Sequence, residues 1–207
     1  MKLFVLGATG KTGGTLVAQA VARGHAVTTL GRSPFTGVWD AKILNLSGNP
    51  MSEAELADAL PGHDAVLSVL GTRGLGATSV LVDSSRATIA AMRTAAVRRL
   101  VILSSALLDT HIGFVNRIVG RTVLRHFSSD QRAMEKLVTA SDLDWTILRP
   151  PRMTESAPDE QSSATLDEPR DAAGMLITKE EVARVMLDTV ENQRYIRQVV
   201  HIRGAHR

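Results

Sequence analysis

The sequence predicts an α/β fold in which one doubly wound, mostly parallel sheet forms a single domain. Short apolar runs alternate along the 207 residues with longer stretches of helical periodicity. A glycine-rich turn follows the first apolar run directly and precedes the first helical stretch. Strands that alternate with helices are joined by right-handed crossovers, which place helices on both faces of a parallel sheet.

Seven apolar runs are predicted to be strands and five periodic stretches to be helices. The strands are Leu3–Leu6, Ala26–Leu30, Lys42–Leu46, Ala65–Leu70, Leu100–Leu103, Trp145–Leu148 and Val199–Ile202. The helices are Gly13–Arg23, one from Ser52 to near Pro61, Ser79–Val97, Gln131–Ala140 and one from Thr178 to about Glu191. The polar stretch Thr154–Gly174 lacks periodicity and is predicted to be a mobile loop or a small lobe.

Three signals indicate where helices begin and end. Gly24 is placed to end the first helix, because glycine readily adopts the left-handed conformation found just beyond a helix C-terminus. Ser52 with Glu55, and Thr178 with Glu181, have the spacing of capping boxes. In such a box each of the two side chains accepts a hydrogen bond from the other residue's backbone N–H.

Composition limits the classes of function. The chain has no cysteine, which excludes disulfides, thiolate metal sites and cysteine nucleophiles, and we expect no metal site. Its formal charge of +3 comes from scattered residues, and aromatic residues make up only 3% of the chain, which disfavours nucleic-acid binding. We find no signal-peptide pattern and no long apolar stretch, and therefore expect a cytoplasmic protein that binds no membrane. We also expect a monomer or a weak homodimer.

The turn after the first strand carries the pattern Gly7-x-x-Gly10-x-x-Gly13. The first glycine allows a tight turn, the second allows the backbone to approach a diphosphate, and the third allows the helix to pack against the sheet. The helix N-terminus then offers N–H groups and a positive dipole end to the phosphates. This context predicts a Rossmann-type domain that binds a dinucleotide.

The end of the second strand predicts which dinucleotide is bound. Sites that prefer NAD commonly have an acidic residue there for the ribose 2′-hydroxyl, but here the first acidic residue is Asp40. Arg32 occupies this region instead, and a planar guanidinium suits a 2′-phosphate. We therefore expect NADP(H), with Lys11 and Ser33 assisting Arg32.

Four segments together resemble one family: Val5-Leu-Gly-Ala-Thr-Gly-Lys-Thr-Gly13, Leu70-Gly-Thr-Arg73, Leu103-Ser-Ser-Ala106 and Asp144-Trp-Thr-Ile-Leu-Arg-Pro-Pro151. The chain resembles the atypical short-chain dehydrogenases of the NAD(P)-binding, NmrA-like group. Within this group it is most similar to the biliverdin-IXβ reductase/flavin reductase branch. The resemblance covers nearly the whole chain, and its motifs are more specific for fold and cofactor than for substrate.

The resemblance implies a set of cofactor contacts. The matching positions are Gly7, Thr9, Gly10, Lys11, Thr12 and Gly13 in the glycine turn, Arg32, Asn45 with Leu46 beside the adenine, Leu70, Gly71 and Arg73 after the fourth strand, Gln131 and Arg152. Asn45 stands where relatives usually carry aspartate after the third strand, and its side-chain oxygen can still accept from the adenine amino group.

The catalytic positions depart from the ordinary pattern of short-chain dehydrogenases, which is Ser with Tyr-x-x-x-Lys. The single tyrosine is Tyr195, and the Tyr-x-x-x-Lys positions hold Phe127 and Gln131, neither of which is a general acid near neutral pH. Ser105 matches the family serine after the fifth strand. Arg152 stands where biliverdin-IXβ-type reductases carry histidine, and it could hold an anionic substrate or the cofactor's phosphates.

These features favour an NADPH-dependent oxidoreductase that transfers hydride to a small-molecule acceptor such as a flavin, quinone or tetrapyrrole. Such acceptors take their proton from solvent, so no Tyr-Lys pair is needed, and Ser105 would bond the nicotinamide amide or the substrate. Residues 107–123 and 153–174 are the candidate substrate-side loops. The alternative is a non-catalytic NADP(H)-binding sensor of the NmrA type that regulates a partner protein.

Overall fold

The fold is described here from a computed structural model. It describes residues 1–37, 40–71, 79–108, 125–154, 166–167, 175–202 and 205–206. The strands are β1 Lys2–Leu6, β2 Ala26–Gly31, β3 Ile43–Ser47, β4 Ala65–Ser68, β5 Arg99–Leu103, β6 Asp144–Arg149, β7 Arg152–Thr154, β8 Leu166–Asp167, β9 Met175–Thr178, β10 Gln198–Ile202 and β11 Ala205–His206. The helices are α1 Lys11–Ala22, α2 Glu53–Ala59, α3 Val80–Thr94, α4 Arg125–Thr139 and α5 Lys179–Glu191, with a 3₁₀ turn at Ala106–Leu108.

The main sheet has eight strands in the order β3-β2-β1-β4-β5-β6-β10-β8. All neighbours are parallel except β10 and β8, which pair antiparallel. The chain moves outward from β1 to β3 and then returns to place β4 on the other side of β1. The predicted doubly wound, mostly parallel α/β fold is therefore confirmed.

Two apolar layers form the core, one on each face of the sheet. In β1, Leu3 and Val5 face the layer shared with α1 and α5, whereas Phe4 and Leu6 face the layer shared with α2, α3 and α4. Successive side chains of a strand point to opposite faces, so a strand buried on both sides is apolar throughout. This explains why the sequence shows continuous apolar runs rather than alternation.

The cap predictions are confirmed at two helix ends and only half confirmed at a third. Gly24 has a φ of +86°, and the N–H groups of Gly24 and His25 donate to Val21 O and Ala20 O, closing the end of α1. At Thr178 both halves of the capping box form with Glu181. At Ser52 the hydroxyl accepts from Glu55 N, but the Glu55 carboxylate accepts from Asn49 N instead of Ser52 N.

Helix α4 corrects a predicted boundary, because it begins at Arg125 rather than at Gln131. Its first residues are mostly polar, so they carry no apolar periodicity that could mark them as helical. The Asp130 carboxylate instead accepts hydrogen bonds from the backbone N–H groups of Leu81 and Val82, both at 3.2 Å. Asp130 therefore caps the start of α3 from a neighbouring helix, a contact that no local pattern shows.

A second, smaller sheet was not predicted from the sequence. It has three strands in the order β11-β9-β7, with β7 parallel and β11 antiparallel to β9. Strands of two to four residues leave too little alternation to be recognised. Most of the candidate substrate-side stretches 107–123 and 153–174 lies outside the described residues.

Among the helices of the described part of the chain, none has the length and apolar character needed to cross a bilayer.

The two capping serine/threonine sites make a testable pair. We expect Thr178→Ala to lower the free energy of unfolding by about 1 kcal/mol, because it removes the hydroxyl that accepts from Glu181 N at 3.2 Å and donates to Glu181 Oε2 at 3.3 Å. Ser52→Ala should cost less, about 0.5 kcal/mol, since only a 3.4 Å bond from Glu55 N is lost. Urea unfolding of both variants measures the two losses of stability. An equal loss for the two variants, or a larger loss for Ser52→Ala, would contradict the assignment of the complete capping box to α5.

Candidate functional site

The candidate site lies where the carboxyl ends of β1 and β4 meet. The chain leaves β1 toward β2 on one side and reaches β4 on the other, so the loops after these strands diverge. Open α/β sheets bind ligands in the crevice that such a reversal creates. The glycine turn and the Leu70–Gly71 loop both lie at this point.

Gly7 lets the glycine turn pack directly against the loop after β4. Its φ is +88°, which favours glycine, and a Cβ at this position would lie 2.8 Å from the carbonyl of Val69 and 2.9 Å from Leu70 N. A side chain would therefore push the two loops apart. The first glycine of the pattern thus serves a close approach of backbone to backbone.

Gly13 plays the corresponding role for helix α1. A Cβ on Gly13 would overlap the carbonyl oxygen of Gly7 and lie 2.8 Å from the Cα of Ala8. The helix can therefore start against the turn only if this residue has no side chain. Gly10 lies between them, and its N–H donates to Gly7 O at 3.0 Å.

The N-terminus of α1 is suited to an anion. Gly10 is its N-cap residue and supplies no side-chain acceptor, and the first turn contains no acidic residue. The first N–H groups of a helix lack intrahelical acceptors, and the helix dipole places positive potential there. Around Gly10 a Cβ would meet only Gly7 O, at 3.3 Å, so the outer side of the turn is open within the described part of the chain. These features fit a diphosphate.

Arg32 directly follows β2 at the same edge of the sheet. Its side chain is exposed, and it has no hydrogen-bond or ion-pair partner among the described residues. The preceding residue, Gly31, accepts a hydrogen bond from Gly48 N at 3.0 Å. Arg32 is therefore a free cation beside the turn that follows β3, as far as the described residues extend.

Asn45 and Leu46 lie within β3 rather than after it. Asn45 is opposite Thr29 in the register of β3 and β2, and its Oδ1 accepts a 2.7 Å hydrogen bond from the Thr29 hydroxyl. A carbonyl oxygen has two lone pairs, so Asn45 can still accept a second bond. Leu46 packs against the apolar layer that contains Leu30. These two residues remain predicted adenine neighbours.

The other residues predicted to contact the cofactor, in the glycine turn and after β4, differ in their exposure. Thr9 and Lys11 are exposed, and Thr12 is half-buried. Leu70 packs against the apolar layer on the α3 side of the sheet. Gly71 is exposed, and no atom of the described residues lies within 4 Å of where its Cβ would be. Arg73 lies outside the described residues, so its predicted role stays a prediction.

Ser105 lies one strand away from this crevice, just after β5. The backbone around it is held to the end of β6, because Ser104 N donates to Leu148 O and Ala106 N donates to Pro150 O. Ser105 is half-buried, whereas the neighbouring Ser104 hydroxyl is buried and has no hydrogen-bond partner among the described residues. The two adjacent serines therefore differ in access to the crevice.

Gln131 lies on α4 and is buried. Only 5% of its surface is exposed, and its buried Oε1 has no hydrogen-bond partner in the described part of the chain. One helical turn later, Glu135 forms a two-point ion pair with Arg149 at the end of β6, with N–O distances of 2.6 and 3.0 Å. Sequence reasoning missed Glu135, although its i,i+4 spacing from Gln131 and the arginine before Pro150 were visible signals.

Strand β7 places Arg152 near the start of α1. The Thr12 hydroxyl donates to Met153 Sδ at 3.7 Å, which joins the glycine turn to β7 across 141 positions of sequence. Arg152 itself is exposed. Among the described residues, no group of histidine, aspartate or glutamate side chains could hold a metal ion.

Comparison with known proteins identifies the family. A profile of the NAD(P)H-binding family matches residues 7–193. The chain belongs to the NAD(P)H-binding family. These proteins are atypical short-chain dehydrogenases, a family of oxidoreductases that bind NAD(P)H.

The chain is also similar to individual proteins. The chain is 30% identical over 163 residues to UPF0659 protein YMR090W of Saccharomyces cerevisiae, covering 72% of this chain and 69% of that protein. The oxidoreductase ylbE of Lactococcus lactis has a TM-score of 0.80 at 20% identity, covering 100% of this chain and 92% of that one. A short-chain dehydrogenase/reductase of Veillonella parvula, solved in complex with NADP, has a TM-score of 0.81 at 16% identity, covering 99% and 94%. The two structures show the shared fold.

The glycine turn gives the sharpest test of the site. Gly10 has φ −78° and ψ 162°, which any residue adopts, so valine fits the backbone after a small shift away from Gly7 O. We expect Gly10→Val to abolish NADPH binding, because its side chain fills the space of the diphosphate, while thermal stability changes little. Calorimetric titration and a melting curve measure the two effects.

Gly14→Ala is the matched control for this variant. Its Cβ would meet only ordinary contacts, at 3.7 Å from Phe35 and 3.8 Å from Ala8 O, on the next turn position of the same helix. It should bind NADPH as the unmodified protein does. Normal NADPH binding by Gly10→Val would show that the turn has no ligand.

Proposed function

We propose that this protein is an NADPH-dependent oxidoreductase that reduces a flat, conjugated acceptor of the flavin, quinone or tetrapyrrole class. The observation that carries the proposal is the acid-free, uncapped start of α1, which the contact of Gly13 with Gly7 holds at the reversal of strand order. Membership of the NAD(P)H-binding family supports the cofactor. The acceptor class follows from the residues at the catalytic positions.

The choice of NADPH over NADH rests on Arg32. Its guanidinium is exposed beside the end of β2, where a 2′-phosphate of a bound dinucleotide would lie, and it has no competing partner among the described residues. Guanidinium–phosphate contacts are charge-assisted and often two-pronged, so they discriminate strongly for a phosphate. The presence of NADP in the Veillonella parvula relative is consistent with this preference.

The acceptor class rests on what the chain offers for proton transfer. The positions of the usual Tyr-x-x-x-Lys pair hold Phe127 and Gln131, so neither position offers an acid to an alkoxide formed from a carbonyl. When bound, NADPH supplies a hydride from nicotinamide C4 to the acceptor. Acceptors whose reduced form takes its proton from water need only orientation and a dry surface from the protein.

Two features of the site would provide that orientation. Ser105 is half-buried at the carboxyl end of β5 and can bond a carboxamide or the acceptor. In addition, the part-buried ion pair of Glu135 with Arg149 holds α4 against the end of β6. A two-point pair resists rotation of either side chain, so this wall of the crevice keeps one shape.

The cofactor preference is tested by removing the guanidinium. Arg32→Ala should erase most of the preference for NADPH over NADH, a loss of about ten- to a hundredfold in NADPH affinity, since a charge-assisted contact contributes roughly 1.5–3 kcal/mol. NADH affinity should not change. Arg93→Ala is the matched control, because Arg93 is also exposed but pairs with Asp142 at the opposite edge of the sheet. Equal affinities for NADPH and NADH in the unmodified protein would refute the assignment.

The mechanism is tested at Ser105. We expect Ser105→Ala to slow NADPH oxidation with FMN or a quinone by only a few-fold to about tenfold, the effect of one neutral hydrogen bond. Loss of a general acid would cost about 10²–10⁴-fold. Ser104→Ala is the matched control and should keep full activity, since the Ser104 hydroxyl has no hydrogen bond to lose.

Rates are measured for all three proteins across pH. A drop beyond about a hundredfold for Ser105→Ala, with unchanged NADPH affinity, would show that Ser105 transfers a proton and would contradict the proposed chemistry. NADPH binding without oxidation by any flavin, quinone or tetrapyrrole would refute the enzymatic function and favour a sensor.

A further inference from the structure

The turn that joins β3 to α2, residues 48–52, is held by an unusual number of local hydrogen bonds. Asn49 is at its centre: its N–H donates to Glu55 Oε2 at 2.8 Å, its Oδ1 accepts from Met51 N at 3.1 Å, and its carbonyl accepts from Ser52 N at 2.9 Å. These three hydrogen bonds restrain the backbone of the turn.

Glu55 is the side chain that completes this arrangement. It occupies the position of α2 from which a carboxylate would ordinarily reach back to the N-cap residue, but Ser52 N donates to Asn49 O instead. The carboxylate instead accepts a hydrogen bond from Asn49 N, three residues before the N-cap residue. Gly48 makes room for it, because a Cβ on Gly48 would overlap Glu55 Oε2. Glu55 therefore holds the turn, and Gly48 permits it to do so.

The position of this turn connects it with the candidate site. Gly48 N donates to Gly31 O at 3.0 Å, and Ser47 is opposite Gly31 in the pairing of β3 with β2. The residue after Gly31 is Arg32. The turn thus lies at the carboxyl edge of the sheet, bonded to the strand end that carries the cation assigned to the 2′-phosphate.

We propose that Glu55 is a positioning residue for the adenosine half of the dinucleotide: it holds residues 48–52 as a preformed wall beside Arg32. This inference rests on the proposed binding of NADPH with its 2′-phosphate at Arg32. Glu55 acts through Asn49 and does not touch the nucleotide. A preformed wall binds more tightly than a mobile one, because no binding free energy is spent on ordering it.

The test divides the cofactor into its halves. Affinities are measured for NADPH, for 2′,5′-ADP and for reduced nicotinamide mononucleotide, the fragments as competitors of NADPH. Glu55→Ala should weaken NADPH and 2′,5′-ADP by about three- to thirtyfold, because the fraction of molecules with an ordered turn falls. The nicotinamide fragment should bind unchanged, and the rate at saturating NADPH should stay the same.

Two further variants separate positioning from general destabilisation. Glu55→Gln should restore affinity to within about threefold of the unmodified protein, since an amide oxygen still accepts from Asn49 N. Glu181→Ala removes a carboxylate at the equivalent position of α5, where it accepts from Thr178 N. It should lower stability about as much as Glu55→Ala, yet leave the affinity for 2′,5′-ADP unchanged.

Gly48→Ala provides an independent test through the same carboxylate. Its Cβ must displace Glu55 Oε2, so the variant should weaken 2′,5′-ADP binding as Glu55→Ala does. In a chain that already carries Glu55→Ala, the added methyl displaces nothing and should cost almost nothing further. The double variant should therefore be no weaker than Glu55→Ala alone, a strongly non-additive result.

Three results would overturn the inference. Unchanged 2′,5′-ADP affinity in Glu55→Ala would show that the turn does not contribute to binding. An equal loss for both fragments would indicate a global effect rather than a wall for adenosine. Additive losses from Gly48→Ala and Glu55→Ala would show that they do not act through one contact. If the unmodified protein binds neither NADPH nor 2′,5′-ADP, the proposed function fails and this inference with it.

Discussion

The contact between two glycines determines where everything else in the site lies. Gly13 has no side chain, so α1 begins against the carbonyl of Gly7, and Gly7 in turn packs against Val69 and Leu70 after β4. This sequence of backbone contacts brings the positive end of α1 to the point where strand order reverses. Arg32, Ser105 and the turn before α2 then border the same edge because parallel strands end there together.

The elements predicted from the sequence are those whose evidence is local. The glycine turn, Gly24 at the end of α1 and the complete box at Thr178 each depend on residues within a few positions of one another, and the structure has all three. The doubly wound, mostly parallel sheet was predicted from the alternation of strands with helices and the handedness of crossovers. Arg32 could be placed at the carboxyl edge of the sheet because it follows a strand directly.

The features missed from the sequence depend on contacts between distant residues. Asp130 caps α3 across 48 and 49 positions, and Thr29 engages Asn45 across 16. The local spacing of Ser52 and Glu55 did predict a bond between them, but the carboxylate is drawn instead to Asn49, which lies before the helix. A spacing pattern shows which groups can meet. Which of two N–H donors, Ser52 N or Asn49 N, bonds to the Glu55 carboxylate is decided by the fold.

Phosphate binding at the start of α1 is the property on which the proposed site depends, and amide chemical shifts test it most directly. Titration of ¹⁵N-labelled protein with NADPH should produce its largest downfield shifts at the N–H groups of residues 11–13, because these amides would donate to the diphosphate, whereas Gly10 N and Gly14 N already donate to Gly7 O and Gly10 O. Smaller shifts should follow at Arg32 and at residues 48–52. Shifts concentrated at the opposite edge of the sheet, around residues 62–64 and 141–143, would contradict the account.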